Sequence, residues 1–485
     1  VTRHPAQWEY CYVTMRSTTP ADGGPNRDVP SSQVGVELVV GEVTERTARG
    51  IAAAVNRLIT SRHLPEGSRL PTVRQVARAM SVSPTTVSDA WQMLAAIGAV
   101  EGRGRQGTFV RAPVGPGAPV RYRRITEGPG HFTIDLSSGI PDAALLPNVA
   151  AVIASLPPGE LTASYLDPAV LPALEAHLIA EWPFVPEAFT VVDGAMDALD
   201  RVAQQTVRMG DRVIVENPTF PPMLDLLDHL GAEVIGVPLD ESGIIPAALA
   251  AALDAEPVAL FCQPRAHNPT GVSTTAERAA ELAALIAGSA LLVVEDDHSA
   301  DIATAALSSI GAHLPQRTVY VRSFSKSHGP DLRLAAIGGP TEVVRGVANR
   351  RMLGPGWSSR ILQSVLLAML RDPSTANAVN AAAAEYARRR AKVCEVLTER
   401  GVNFTGNDGI NLWVEVRDER AAMLALAAHG IGVAPGEPFF VDHPARGNGG
   451  PQWIRVTTAT LDDERGPGVA DFIAAAAVLA PTWRS

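Results

Sequence analysis

Apolar residues recur along this chain with two different periods, and the change of period divides it. Between residues 47 and 100 the period is that of an amphipathic helix. "TARGIAAAVNRLITSRHL" sets Ile51, Val55, Leu58 and Ile59 on one face and predicts a first helix. "PTVRQVARAMSV" predicts a second, opened by Pro71. "SPTTVSDAWQMLAAIGAV" predicts a third, with Ser83 as N-cap and Pro84 at the first helical position. "VEGRGRQGTFV" then gives two short extended pieces around a Gly/Arg turn.

Further on, short apolar runs alternate with alanine-rich helical segments. "FTVVDG", "DRVIVENP", "VALFCQP", "ALLVVEDD" and "TVYVRSFSK" show too little polar alternation for a sheet with one wet face. Buried strands separated by helices predict an α/β fold with a largely parallel sheet. Between the two regions, "PVGPGAPVRYRRITEGPG" lacks any period and is rich in Pro and Gly, which predicts a linker over 113–130. The expected organisation is a disordered leader over 1–40, a small module over 41–112, the linker, and a body over 131–485. Three helices followed by a basic hairpin are the plan of a winged helix-turn-helix. Its third helix would enter a major groove, and its wing would lie over backbone or minor groove.

Charge supports that division. Residues 41–112 hold ten arginines and five acids, a balance of +5, so the rest of a chain of net charge −10 carries −15. A basic module on an acidic body points to double-stranded DNA as the module's partner. No run of 18 uninterrupted apolar residues is present, so no membrane-spanning helix is expected. The three cysteines, Cys11, Cys262 and Cys394, are far apart and form neither a metal spacing nor a disulfide framework, which fits a cytoplasmic protein.

The 41 basic residues include only two lysines, Lys326 and Lys392. Lys392 lies in an arginine-rich helical run, whereas Lys326 stands between serines just past an apolar run. Arginine cannot deprotonate and attack an aldehyde carbon, and lysine can. In parallel sheets, ligands bind at the carboxyl ends of the strands. Those ends supply Gly194, Ala195 and Met196 at a helix start, the aromatic Phe220, the amide Asn268, Asp296 with His298, and Ser323, Ser325, Lys326 and Arg333. An amine, a carboxylate, an amide, an aromatic plate and a phosphate cradle together suit pyridoxal 5'-phosphate.

The two regions also resemble known families. "LPEGSRLPTVRQVARAMSVSPTTVSDAWQMLAAIGAVEGRGRQGTFV" resembles a GntR-type winged helix. That resemblance implies DNA contacts from Arg74, Thr85, Thr86, Arg103, Arg105 and Gly107. Pro84 stands where many relatives have an arginine, which removes one expected contact. "NPTG", "SFSK" and the arginine seven residues past the lysine resemble a fold-type I, class I aminotransferase, with a large sheet domain and a smaller C-terminal domain. The resemblance implies that Lys326 bonds the cofactor, Asp296 meets its pyridine nitrogen and Asn268 and His298 its ring oxygen. It implies that Phe220 stacks on the ring and that Ser323, Ser325 and Arg333 hold the phosphate. His298 stands where tyrosine is usual, and Ala195 and Met196 leave only backbone donors. Tyr165 matches a tyrosine that reaches the neighbouring subunit's phosphate, Arg455 matches the arginine that grips a substrate carboxylate, and Gly139 is expected with it among the effector-binding residues.

A winged helix on an aminotransferase-like body is the arrangement of the MocR subfamily. It implies a pyridoxal-phosphate-dependent transcriptional regulator, built as a head-to-tail homodimer in which each module meets the partner's body. An amine, an amino acid or the cofactor itself would be the effector. The sequence leaves open an active aminotransferase that carries a winged helix.

Overall fold

The computed structural model describes residues 35–60, 63–65, 67–96, 99–110, 120–126, 132–157, 164–442, 451–462 and 464–479. The N-terminal module contains α1 (Val36–Glu42), α2 (Ala48–Thr60), α3 (Val73–Met80) and α4 (Pro84–Ala96), then a hairpin of β1 (Val100–Gly102) and β2 (Thr108–Val110). The apolar stripe read from α2 does form the core: Ile51, Val55 and Leu58 are buried with Val76, Val87, Leu94 and Val110. α4 is capped as expected, with the Thr86 N–H donating to Ser83 Oγ at 3.0 Å. α3 begins two residues later than its proline suggested. Thr72 is its cap, in a reciprocal box with Gln75 that satisfies two donors at once.

Most of the expected leader lies outside the described residues, but its last part does not. Residues 36–40 belong to α1, and Val39 is fully buried in the module's core. "VGVELVV" carried enough apolar surface to fold against α2, which a polar leader could not do.

The body's large sheet has eight strands in the order β4 (Ala188–Val192), β11 (Ala335–Gly339), β10 (Thr318–Ser323), β9 (Leu292–Asp297), β8 (Ala259–Cys262), β5 (Arg212–Asn217), β6 (Glu233–Asp240) and β7 (Gly243–Ile244). The pairs β10–β9, β9–β8, β8–β5 and β5–β6 are parallel, while β11 runs against both its neighbours. All residues of β8 and β10 are buried, as a sheet covered on both faces requires. Because the parallel strands point the same way, their carboxyl ends deliver residues to one edge.

A second sheet orders β12 (Phe404–Thr405), β13 (Asn411–Val416), β15 (Gln452–Thr457), β14 (Ile431–Pro435) and β3 (Ile134–Leu136). β3 comes from far earlier in the chain and pairs parallel to β14. The chain therefore starts this domain, leaves to build the large sheet, and returns. Past β3 the chain turns toward β15, where the Gly139 N–H donates to Thr457 Oγ1 at 3.0 Å and the Ser137 carbonyl accepts from Arg455.

Helix α5 (Val120–Thr126) forms inside the segment read as an aperiodic linker, and its sequence alone would not hold it. Seven residues with three arginines are too short and too like-charged for an isolated helix. Its stability comes from the body. Asp225, on another helix, accepts the Arg121 and Tyr122 N–H groups at 3.0 Å each. Arg121 pairs with Asp228, and Arg124 pairs with Glu437. The winged helix also touches its own body. Arg49 Nη1 lies 2.8 Å from Asp211 and Nη2 donates to the Gly210 carbonyl at 2.8 Å, while Met209 packs against the module's core. No helix among the described residues is long and apolar enough to cross a membrane.

Candidate functional site

A cavity of about 230 Å³ opens where the strand ends of the large sheet meet the small domain. Phe220, Asn268, Asp296, His298, Ser323, Ser325, Lys326, Arg333 and Arg455 all line it, together with Gly139, Ala195 and Met196. The residues chosen from the strand ends therefore converge.

The floor is set by β9 and the turn after β10. Asp296 is 5% exposed, and its Oδ2 accepts from Gln263 Nε2 at 2.9 Å. Its Oδ1 is buried and has no hydrogen-bond partner among the described residues. Burial raises the Asp296 carboxyl to about 6, against the lowering effects of the Gln263 bond and the Lys326 charge. Burial lowers the Lys326 amine to about 8; Asp296 opposes this and Arg455 adds to it. Lys326 Nζ lies 2.8 Å from His298 Nδ1. Burial, followed by the Lys326 charge, pushes the His298 imidazole well below its usual value, so the ring is neutral and Nδ1 accepts from the ammonium. His298 thus holds the lysine directly.

Gln263, which the sequence pattern does not single out, immediately follows β8. Its own N–H donates to buried Glu216 at 2.9 Å, and its Oε1 accepts the Asn268 N–H at 2.7 Å. One side chain thereby fixes both Asp296 and the turn that carries Asn268.

The small domain contributes Arg455, on β15. It is 3% exposed, and burial lowers its guanidinium to about 10. Nη1 donates to Asn268 Oδ1 at 3.2 Å and Nη2 to the Ser137 carbonyl, while Nε is buried without a partner among the described residues. Gly139 sits in the left-handed region at φ 66°, and a Cβ there would stand 3.3 Å from both terminal nitrogens of Arg455. Glycine is needed for both the backbone and the space.

At the other end, Gly194 caps helix Ala195–Thr206 at φ 104°. Arg333 donates to the Asp193 carbonyl at 3.0 Å, and a Cβ on Gly194 would lie 3.1 Å from its Nη2. First-turn N–H groups of a helix lack intrahelical partners, so this helix start, Arg333 and the two serines form a cradle for an anion.

Tyr165 is not in this cavity. It is 86% exposed, beside Leu166 at 95%, and packs edge-on against Trp357 at 5.8 Å. Tyr122 and Ile125 of α5 do line the cavity, and nothing in the pattern of their segment signalled it.

On the winged helix, Arg74 and Thr85 are exposed on α3 and at the start of α4, and Thr86 Oγ1 lies 2.8 Å from Ser83 Oγ. Arg103 is 2.5 Å from Glu101 and its guanidinium lies 4.7 Å above the Phe109 ring, so the wing fixes its direction. Gly107 has φ 108°, and a Cβ would meet Arg69 Nε at 2.8 Å. The side chain of Arg105 lies outside the described residues.

The model of the family "Aminotransferase class I and II" matches residues 133–473, and that of "Bacterial regulatory proteins, gntR family" matches residues 47–110. The vitamin B6 salvage pathway transcriptional repressor PtsJ of Salmonella typhimurium is 32% identical over 86% of this chain and 95% of its own length. The HTH-type transcriptional regulator TauR of Rhodobacter capsulatus is 27% identical over 80% of this chain and 88% of its own. Among solved structures, the kynurenine aminotransferase of Pyrococcus horikoshii superposes with a TM-score of 0.67 at 20% identity, covering 74% of this chain and 94% of that one.

Proposed function

The chain belongs to the class I and II aminotransferase family and carries a gntR-family module ahead of that body, and from that premise we propose that it is a DNA-binding transcriptional regulator that holds pyridoxal 5'-phosphate and senses a small amine, an amino acid or the cofactor itself. One observation carries the reading: Lys326, the unpartnered Oδ1 of Asp296 and the Arg333 cradle line a single cavity in a chain that also has a complete winged helix.

When bound, the cofactor supplies an electrophilic aldehyde carbon and an electron-withdrawing ring. The residues present fit it. The Asp296 Oδ1 orphan is a buried acceptor in want of an N–H, which a protonated pyridine nitrogen offers. Asn268 gives its carbonyl oxygen to Arg455 and keeps its amide N–H₂ for a ring oxygen. Phe220 supplies a wall, and Ser323, Ser325, Arg333 and the helix start at Ala195 hold a dianion. Lys326, with its amine at about 8, is neutral in about a tenth of molecules near pH 7 and can act as a nucleophile. His298 orients it. The buried Nε of Arg455 suits an effector carboxylate, and an effector amine would compete with Lys326 for the aldehyde carbon.

The relatives that align along both modules are named as regulators, which favours regulation over the aminotransferase reading. Binding alters transcription only if it favours one arrangement of the modules over another. The exposed apolar surface at Tyr165 and Leu166 supports a second copy of the chain as a partner. In a head-to-tail pair the Arg49–Asp211 contact would form between chains.

The test is a titration of the purified protein with pyridoxal 5'-phosphate and then with a panel of amines and amino acids, following visible absorption and binding to its own upstream DNA in parallel. Lys326→Ala should abolish covalent retention of the cofactor. Covalent retention with an unchanged spectrum in that variant would sink the assignment, and sustained keto-acid release over many turnovers would return the enzyme reading.

A further inference from the structure

We propose that Tyr122, on the helix between the two modules, is a ligand-recognition residue at the carboxylate end of the cavity, so that the connecting segment itself reads the bound amino acid. The inference rests on the regulator reading above and names how that site would be coupled to the DNA-binding module.

Four observations lead there. Tyr122 and Ile125 line the same cavity as Lys326 and Arg455. Tyr122 is 41% exposed, so a ligand entering the cavity from solvent can reach it. Ile125 is buried against Trp413, Ala434 and Phe439, and the Phe439 ring also carries the Arg455 guanidinium 5.2 Å from its centroid. The helix is pinned by Asp225, Asp228 and Glu437, all of them residues of the body. The helix therefore has one face in the cavity and its fastenings outside it.

A phenol at this place offers an O–H donor and an acceptor beside the arginine that suits a carboxylate. The ligand class is an α-amino acid or another small amine with a carboxylate. Such a ligand would add a contact to α5, and this contact exists only while the helix is docked. Docking and ligand binding then strengthen each other by the same factor. The chain runs from α5 back to the wing through residues 111–119, so a change in docking changes what tethers the DNA-binding module.

The experiment uses the full chain loaded with pyridoxal 5'-phosphate. Amino acids that perturb its visible spectrum are titrated into wild type, Tyr122→Phe, Tyr122→Ala and Asp225→Asn, and the operator affinity of each is measured with and without ligand. Loss of one hydrogen bond predicts about two- to tenfold weaker amino-acid binding in Tyr122→Phe, with a larger loss in Tyr122→Ala. Asp225→Asn should keep the cofactor spectrum, bind the amino acid more weakly and lose much of the ligand-dependent change in operator affinity. Unchanged amino-acid affinity in Tyr122→Ala, with the operator response intact, overturns this inference while leaving the cofactor assignment standing. A wild-type protein that never takes up the cofactor overturns both.

Discussion

Burial raises the Asp296 carboxyl to about 6 and lowers the Lys326 amine to about 8, and each shift has a consequence for the cofactor-free protein. An unfolded aspartate titrates near about 3.9. Between that value and 6 the folded chain holds a proton that the unfolded chain has lost, so this group's contribution falls as pH rises through the window. The loss is at most about 3 kcal/mol and is complete above pH 6. Asp296→Asn removes it. The cofactor-free variant should therefore unfold at higher denaturant than wild type at pH 7.5, with the gap closing toward pH 4. Buried Glu295, raised to about 7 by burial, slopes the same way in both proteins and cancels in the comparison. A gap that does not change with pH would mean that the carboxylate is not held at a cost. For Lys326 the sign reverses: the folded amine releases its proton first, so stability rises between about pH 8 and the unfolded value of about 10.4. The chemistry at this scale was legible because it left marks in the sequence. Lys326 stood out in a chain that otherwise uses arginine, and Asp296 followed a buried run. Gln263 stands at the same strand end as Asn268, but its role is indirect, through hydrogen bonds to Asp296 and to the Asn268 N–H that no local pattern signals. The His298–Lys326 bond was not legible, since it joins side chains 28 positions apart whose directions depend on two packed strands.

Periodicity foretold the elements where burial is one-sided or complete, and failed where another element does the stabilising. The helices of the DNA-binding module and the strands β4, β5, β8, β9 and β10 were readable from their own residues. β11 and β6 leave weaker patterns: "AAIGG" has little side chain to show, and only one residue of β6 is fully buried. β3 pairs with β14 almost three hundred residues later, so no local window contains the reason for it. α5 is the sharpest case, because its N-terminal N–H groups are capped by Asp225, over a hundred positions away. Within the module, the elements also state how DNA would be met. Arg74 is the second residue of α3 and is exposed, and the proposal that it meets a phosphate rather than a base edge makes a distinct prediction. Arg74→Ala should weaken binding to all DNA sequences about equally and reduce the slope of log affinity against log salt by about 1. The cofactor spectrum should not move. A variant that binds with the wild-type salt slope would remove Arg74 from the interface.

Across the whole molecule, the question is which body each module reports on. The structure docks the module on its own chain through Arg49, whose guanidinium spans Asp211 and the Gly210 carbonyl. Arg49 is about half exposed, and exposed pairs contribute little to stability, about 0–1 kcal/mol. Its interest is in geometry instead: it joins the basic module, of charge +5 over residues 41–112, to the body, and a change there would alter how the two are placed for DNA. The same contact could be made within a chain or exchanged between two. Charge reversal separates these cases. R49D alone and D211R alone each place like charges opposite one another and should reduce the ligand-dependent operator response. The decisive sample is a heterodimer of one R49D chain and one D211R chain, purified with two different tags. If modules dock on the partner's body, the R49D module meets the D211R body and the intact Arg49 meets the intact Asp211, so both contacts are restored and the response returns. If each module docks on its own body, both contacts stay repulsive and the heterodimer behaves like its parents. Docking within one chain, as the Arg49–Asp211 contact stands here, gives the second outcome, and the head-to-tail pairing raised above gives the first. Recovery in the mixed dimer would instead assign the Arg49–Asp211 contact to an exchanged, head-to-tail assembly.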